Sequence, residues 1–317
     1  MDNIIGVISK SNNIVLLCHN NPDGDAIGSS LALYFALKRI GKDVIVVAND
    51  VPKRFCYLNG YDDIVSESNS NYDLAIVLDT ANKDRVNDPS GIIDRTSEVM
   101  VIDHHVSNTR YGNENLVEEL PACCQIVYNL IKKMNIVIDN DIAMALMTGL
   151  LTDTGGFSHQ DVAPSTFAMA EDLCKIVDVS LIYDKALRVI SRNQFDIKMI
   201  ALNNLEFYCD GKIAFFYITS EDMVETGVDQ SDCGILVNVP LEIDGVEVSI
   251  FLRRYLDRIR ISLRSKYIDV NRIMSMFGGG GHVNAAGATV TMAFDDVKNE
   301  LIKEVGKSIN EWDISCK

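Results

Sequence analysis

Short unbroken apolar runs at residues 14–18, 44–48, 74–78 and 99–102 alternate with longer helical patterns through the first third of the chain. Runs of that length that lack polar alternation read as strands buried on both faces. Such strands separated by helices form a parallel sheet covered on both sides. In sheets of this kind ligands bind beyond the carboxyl ends of the strands. Those ends are where this chain concentrates ionisable side chains. The first run leads into His19-Asn20-Asn21-Pro22-Asp23-Gly24-Asp25, the third into Asp79 and the fourth into Asp103-His104-His105, and Asp153 closes the apolar stretch IAMALMTGLLTD.

Helical patterns then dominate from about 122 to 205, interrupted by a loop over 152–164. After Asp210-Gly211 the chain turns β-rich at 213–219, 246–252 and 259–263, followed by a glycine run and a final amphipathic helix. The expectation is an α/β protein in two parts. A larger domain over 1–188 has a doubly wound, mostly parallel sheet, a linker helix covers 189–206, and a smaller α/β domain covers 207–317.

An Asp beside an apolar core is costly unless it is paired or metal-bound, and capping explains one such residue better than four at recurring strand ends. For the first cluster alone, Asp25 as a helix cap and His19 as a turn residue is the competing reading. Pro22 and Gly24 bend the chain so that Asp23 and Asp25 need not share one direction. Carboxylates and imidazoles without cysteine suit Mn²⁺, with Mg²⁺ as the alternative, and a pair of such cations suits displacement at phosphorus.

The chain has 29 Lys and Arg against 45 Asp and Glu, a net charge of −16 in 317 residues. That balance excludes an extended, non-specific grip on long nucleic acid, which requires many cations on many phosphates. A short anionic substrate needs only a local positive patch or bound metal. No apolar run approaches a membrane span, and the N-terminus carries no targeting pattern, so a cytoplasmic protein without a membrane partner is expected. The eight cysteines form no C-x-x-C pair, against a zinc knuckle or disulfide framework.

In the C-terminal part, Arg258, Arg260, Ser262 and Arg264 alternate with apolar residues and share one strand face. An ordinary solvated face is the favoured reading for Arg258 and Arg260. Gly278-Gly279-Gly280-Gly281-His282 precedes small residues at an expected helix start, where backbone N–H groups and the helix dipole would favour an anion.

Taken together, HNNPDGDAIGS, VLDTANKDRV, VIDHHVS, GLLTDTGGF and FGGGGHVNAAG resemble the DHH/DHHA1 phosphoesterases. The similarity is to the branch of nanoRNases that act on short RNA and on 3′-phosphoadenosine-5′-phosphate, and the motifs follow the family's order along nearly the whole chain. The resemblance implies that His19, Asp23 and Asp79 hold one manganese, and that Asp25, Asp79, His104 and Asp153 hold a second, with Asp79 bridging. It implies a phosphate contact for His105 and an orienting role for Asp103, although both also admit a purely architectural reading. Arg85 would approach substrate, or simply begin a surface helix. Arg264, Ser265, Gly280, Gly281 and His282 would bind substrate. Where the family often carries a basic residue after Asp153, this chain has only His159, better read as a solvated loop residue. Short RNA oligonucleotides or small nucleotides are the implied partners, with a homodimer among the assemblies open to the chain. Linear dinucleotides are an alternative substrate, and a non-catalytic nucleotide-binding module is the alternative outside enzymology.

Overall fold

The computed structural model describes residues 1–230 and 232–315; Cys316 lies outside them. The chain divides into two compact units, Met1–Val189 and Ile190–Lys317.

The first unit is built on β1 (Asn13–Leu17), β2 (Asp43–Val47), β3 (Leu74–Leu78), β4 (Val99–Asp103) and β5 (Glu114–Val117). They form one sheet in the order β2-β1-β3-β4-β5, every pair parallel. Alternate residues of β1 enter opposite cores, Ile14 and Leu16 on one face and Val15 and Leu17 on the other, which is why the run contains no polar residue. The larger core is closed by α1 (Asp2–Lys10), α2 (Gly24–Arg39), α4 (Cys123–Lys133) and α5 (Asn140–Asp153); the short α3 (Ile92–Arg95) packs on the other face. The unit continues through α6 (Pro164–Cys174) and α7 (Val179–Tyr183). In this strand order the chain leaves β1 towards β2 and leaves β3 the opposite way, towards β4. The carboxyl ends of β1 and β3 therefore border the crevice of a topological switch point.

Several details differ from expectation. The loop after α5 is shorter than expected, because Thr152 and Asp153 complete the helix. β5 was not foreseen, since ENLV buries only Leu116 and carries no strand-like apolar run. Asp23, not Asp25, caps α2: its Oδ1 accepts from the N–H groups of Asp25 and Ala26 at 3.0 and 3.1 Å. The bend before it is made at Asn21, whose φ is +55°. Gly24 is required by packing, because a Cβ there would lie 2.4 Å from Thr152 Oγ1.

The second unit carries β6 (Glu206–Tyr208), β7 (Ile213–Thr219), β8 (Val248–Arg254), β9 (Ile259–Ser265), β10 (Gly280–His282) and β11 (Ala285–Val290), in the order β10-β11-β9-β8-β7-β6. β7 and β8 are parallel and the other pairs antiparallel. Its helices are α8 (Arg192–Asn203), α9 (Ser220–Thr226), α10 (Val270–Met276) and α11 (Phe294–Ser315), with a 3₁₀ stretch at Asp232–Glu242. The segment read as a linker holds α8, whose Ile197 and Ala201 are buried in this unit's core. No helix starts at the glycine run. Gly280–His282 pairs with β11 as a strand, and a Cβ at Gly281 would lie 2.4 Å from the Ala285 carbonyl oxygen, so the glycines permit close strand approach.

α2 and α5 pack closely against each other through glycine. A Cβ at Gly28 would stand 2.5 Å from the Ala145 carbonyl oxygen and 3.0 Å from Gly149 N. Neither backbone atom can rotate away, so Gly28→Ala is expected to lower unfolding stability by about 1–3 kcal/mol in urea melts. An unchanged midpoint would show that the two helices separate freely.

Candidate metal centre

Each loop leaving the switch point is bent so that its polar side chain turns back over the sheet. Asp79 immediately follows β3 with φ +52°, a left-handed conformation that Asp tolerates better than most residues, and its N–H is anchored on the Ile102 carbonyl at 2.9 Å. His19 follows β1 and bridges to Val86, while Asn20 N–H donates to the Arg85 carbonyl at 2.8 Å; this pairing brings Arg85 to the rim. His104 follows β4, and Asp153 is the last residue of α5.

His104 Nδ1 lies 2.9 Å from the Leu120 carbonyl oxygen, and His19 Nδ1 lies 2.9 Å from the Asn20 carbonyl oxygen. A carbonyl only accepts, so Nδ1 of each ring is the donor and Nε2 is the free lone pair of the neutral ring. His104 Nε2 faces Asp79 Oδ1 and Asp153 Oδ2, both at 3.3 Å. His19 Nε2 faces Asp79 Oδ2 at 3.6 Å and Asp23 Oδ1 at 3.8 Å. With the rings neutral, lone pairs point at lone pairs, at separations longer than good hydrogen bonds, and either a proton or a cation between them relieves the contact. Asp79 Oδ1 is buried with no hydrogen-bond partner.

Three donor groups could each hold a cation: His19, Asp23 and Asp79; Asp79, His104 and His105; and Asp25, His104 and Asp153. Neighbouring atoms bound at about 2.1 Å to one cation lie roughly 3–3.5 Å apart, close to the 3.3–3.8 Å found here. The nitrogen and carboxylate set suits Mn²⁺ or Mg²⁺. His105 also comes within 3.6 Å of Asp79, but through Nδ1, the nitrogen committed to Asp103 at 2.8 Å.

Electrostatics support the same reading. Burial, reinforced by the charge of Asp79, pushes the Asp25 carboxyl up to about 7. Burial, followed by the charges of Asp25 and Asp79, pushes Asp153 up to about 8. Burial opposes charge on His19 and His104, yet the carboxylates around them overcome it and raise both imidazoles to about 10. Burial likewise opposes ionisation of Asp79, but the two histidines hold it below the usual carboxylate range. The metal-free cluster therefore gathers protons, and a cation would replace them. Cys18, Cys123 and Cys124 are buried thiols pushed far from ionisation, so they offer no competing ligand.

Other contacts hold the cluster in place. Asp25 accepts from Cys123 N–H at 2.5 Å and Cys124 N–H at 2.9 Å, which makes it the cap of α4. Capping was weighed for Asp25 in the sequence, but for the wrong helix. Asp103 is fully buried; His105 occupies one oxygen and Asn108 Nδ2 donates to the other at 2.6 Å. Asn108 also donates to the Thr80 carbonyl. Asn108 was not singled out in the sequence, where nothing marks an Asn in VSNTRYG as different from a turn residue. His159 Nδ1 donates to the Asp153 carbonyl at 2.7 Å, an anchor for the loop.

Of the residues expected to bind substrate, Arg85 lies in the first unit and Arg264, Ser265, Gly280, Gly281 and His282 lie in the second. Arg264 pairs with Ala285, and Ala285 with His282, so Arg264 and His282 flank a small residue on one sheet face. Ser265 Oγ accepts from the Tyr267 and Ile268 N–H groups, leaving only its own proton to offer. Gly281 N–H is taken by Asn271 Oδ1 at 2.8 Å, so that amide is not free for an anion; Gly280 is exposed.

A family model described as the DHH family N-terminal domain matches residues 13–150, and one for the DHHA1 domain matches 210–311. A Thermus thermophilus protein named bifunctional oligoribonuclease and PAP phosphatase NrnA is 32% identical, covering 87% of this chain and 84% of the relative. The chain belongs to the DHH family. A Bacillus subtilis protein of the same name is 27% identical over 90% of this chain and 92% of its own length. A solved exopolyphosphatase-related protein from Bacteroides fragilis superposes with a TM-score of 0.86 at 27% identity, covering 96% of both chains. DHH and DHHA1 domains in this order make the chain a phosphoesterase of the hydrolase class, with candidate acidic and histidine metal sites in its DHH unit. Among the described residues no helix is long and apolar enough to cross a membrane.

If the DHH cluster takes cations, Mn²⁺ added to stripped protein should raise the melting temperature, the gain reaching roughly 2.7 kcal/mol at about a hundredfold excess over Kd. Asp79→Asn should weaken calorimetric Mn²⁺ binding more than about tenfold, since Asp79 faces both histidines. A native melt unmoved by Mn²⁺ would remove the metal centre.

Proposed function

We propose that this protein hydrolyses phosphate esters in short RNA oligonucleotides, releasing nucleoside 5′-monophosphates, and converts 3′-phosphoadenosine-5′-phosphate to AMP, with two Mn²⁺ as cofactors. The observation that carries the reading is the convergence of His19 and His104 Nε2 on the two oxygens of Asp79, one of which is buried without a partner. Relatives named for both activities supply the substrate class. Asp79 would be shared, with His19 and Asp23 on one side and Asp25, His104 and Asp153 on the other. When bound, the two cations supply a nucleophile at neutral pH and positive charge for the attacking and leaving oxygens.

The chain's own groups position the ester. Asp103 raises the His105 imidazole by accepting a hydrogen bond from Nδ1–H, leaving Nε2–H to donate to a phosphate oxygen. Arg85, on the rim of the same pocket, can fork onto a second oxygen. Asn108 keeps Asp103 from rotating and so acts through His105. Positioning and charge account for catalysis in this scheme. A cytoplasmic setting and a homodimer belong to the same proposal.

Product release from labelled RNA dinucleotides and from 3′-phosphoadenosine-5′-phosphate, with Mn²⁺ or chelator, tests it. Metal-dependent turnover lost in Asp79→Ala is expected; no turnover of either substrate with Mn²⁺ present overturns it. Asn108→Ala should lower kcat about tenfold or more at near-native Mn²⁺ affinity. Equal losses of metal affinity and rate would instead make Asn108 a support of the metal ligands.

A further inference from the structure

β7 and β8 of the second unit run parallel, joined by the crossover that contains α9, and they end level with each other: Thr219 and Arg254, their last residues, are register partners. Parallel strands linked in this way leave a crevice beyond their carboxyl ends, where α/β sheets take their ligands. A cavity of about 330 Å³ occupies that position, lined by Thr219, Ser220, Glu221, Arg254, Tyr255 and Leu256. Its volume is that of a site for a small molecule.

The cavity carries one charge of each sign, and the two do not meet. Arg254 is exposed, whereas the adjacent Arg253, opposite Arg260 on β9, is buried and donates to the Gln230 carbonyl. The Arg254 guanidinium lies over the Phe294 ring, 5.6 Å from its centroid, and among the described residues it has no carboxylate partner. Glu221 is fixed separately. Its own N–H and then the Ser220 hydroxyl, 3.2 Å away, hold the carboxylate below its usual range, and the charge of Arg254 adds to the effect. Thr219 and Asp222 satisfy each other's polar groups, so neither competes for the cavity's two charges. Leu256 is 94% exposed at the β8–β9 turn. A lone exposed leucine is ordinary, but this one gives an apolar wall to a cavity that holds both charges.

We propose that this cavity binds a free α-amino acid with an apolar side chain. Arg254 takes the carboxylate through its planar fork, Glu221 accepts from the ammonium, and Leu256 and Tyr255 receive the side chain. A zwitterion bridges the two charges and leaves the cavity neutral. A phosphate or nucleotide on Arg254 would instead set its charge against the Glu221 carboxylate, so the lining selects against the esters that the first unit is read to hydrolyse. The site belongs to the second unit alone and holds whatever the substrate of the metal centre.

Calorimetry and ligand-observed NMR on the full chain with L-leucine test the assignment, run in chelator so that the readout is independent of the metal centre. L-leucinamide lacks the carboxylate and N-acetyl-L-leucine the ammonium. Leucine is expected to bind, and each derivative to bind about tenfold or more weakly. Glycine, which offers no side chain, should also bind more weakly than leucine. Arg254→Ala and Glu221→Gln should each weaken leucine binding about tenfold or more, with circular dichroism melts reporting the fold of each. Arg192→Ala, which breaks an exposed ion pair on α8, should leave binding unchanged. No binding of leucine by either method, equal binding by native and Arg254→Ala protein, glycine binding as tightly as leucine, or inorganic phosphate binding more tightly than leucine overturns the site.

Discussion

The arrangement of the first unit turns on one buried carboxylate. Asp79 sits at the carboxyl end of a central strand with one oxygen lacking a hydrogen-bond partner. Such a group costs several kcal/mol when uncompensated. What meets it is His19 and His104, each tethered through Nδ1 to a backbone carbonyl and presenting Nε2 to it, so that a proton or a cation must lie between. The parallel sheet keeps these parts in place: β1, β3 and β4 are adjacent and in register, so the residues following each strand emerge side by side. A charge-balanced site would have been easier to fold; the excess of carboxylates is what makes this a candidate site for cations.

Asp25 extends that constraint into the helical layer. Its carboxylate terminates α4 from 98 positions earlier in the chain, while its oxygens lie within reach of His104 and Asp153. Glycine makes this possible, since a Cβ at Gly149 would lie 2.7 Å from Asp25 Oδ1 and 2.2 Å from Cys124 Sγ. The glycine in GLLTD is therefore a packing requirement of the site rather than a flexible point. One side chain thus couples the seating of two helices to the shape of the cation cluster.

These relations explain which parts were legible before the structure. Strands buried on both faces announce themselves as apolar runs, and β3 and β7 occur at the very residues expected. Polar residues at their ends were legible for the same reason, as exceptions to an apolar context. The edge strand β5 was not, because a half-exposed strand needs no apolar run. The glycine run misled because glycine that frees a backbone for an anion and glycine that lets two strands approach look identical in sequence. Asn108, the Leu120 carbonyl and the α4 amides were invisible, since each acts through a partner supplied by tertiary structure. The pairing of Arg253 with Arg260 became apparent only with the register, as Arg253 lies outside the alternating segment that drew attention to Arg258, Arg260 and Arg264.

Under the proposed reading the two units would meet phosphate by opposite means, and the contrast has a physical basis. A carboxylate cluster repels phosphate until cations invert its sign, so the first unit's affinity for an ester is conditional on metal. Arginines need no such help, and their planar fork binds phosphate oxygens directly. At a net charge of −16, positive sites must be local to act at all. Among the described residues Arg253, Arg260 and Arg264 have no carboxylate partner while Arg258 is paired with the adjacent Asp257, so the chain's few cations are unevenly distributed. Metal-dependent chemistry in one unit and metal-independent anion affinity in the other, if both hold, would be separable by a chelator. That separability follows from the residue types alone, whatever the identity of the substrate.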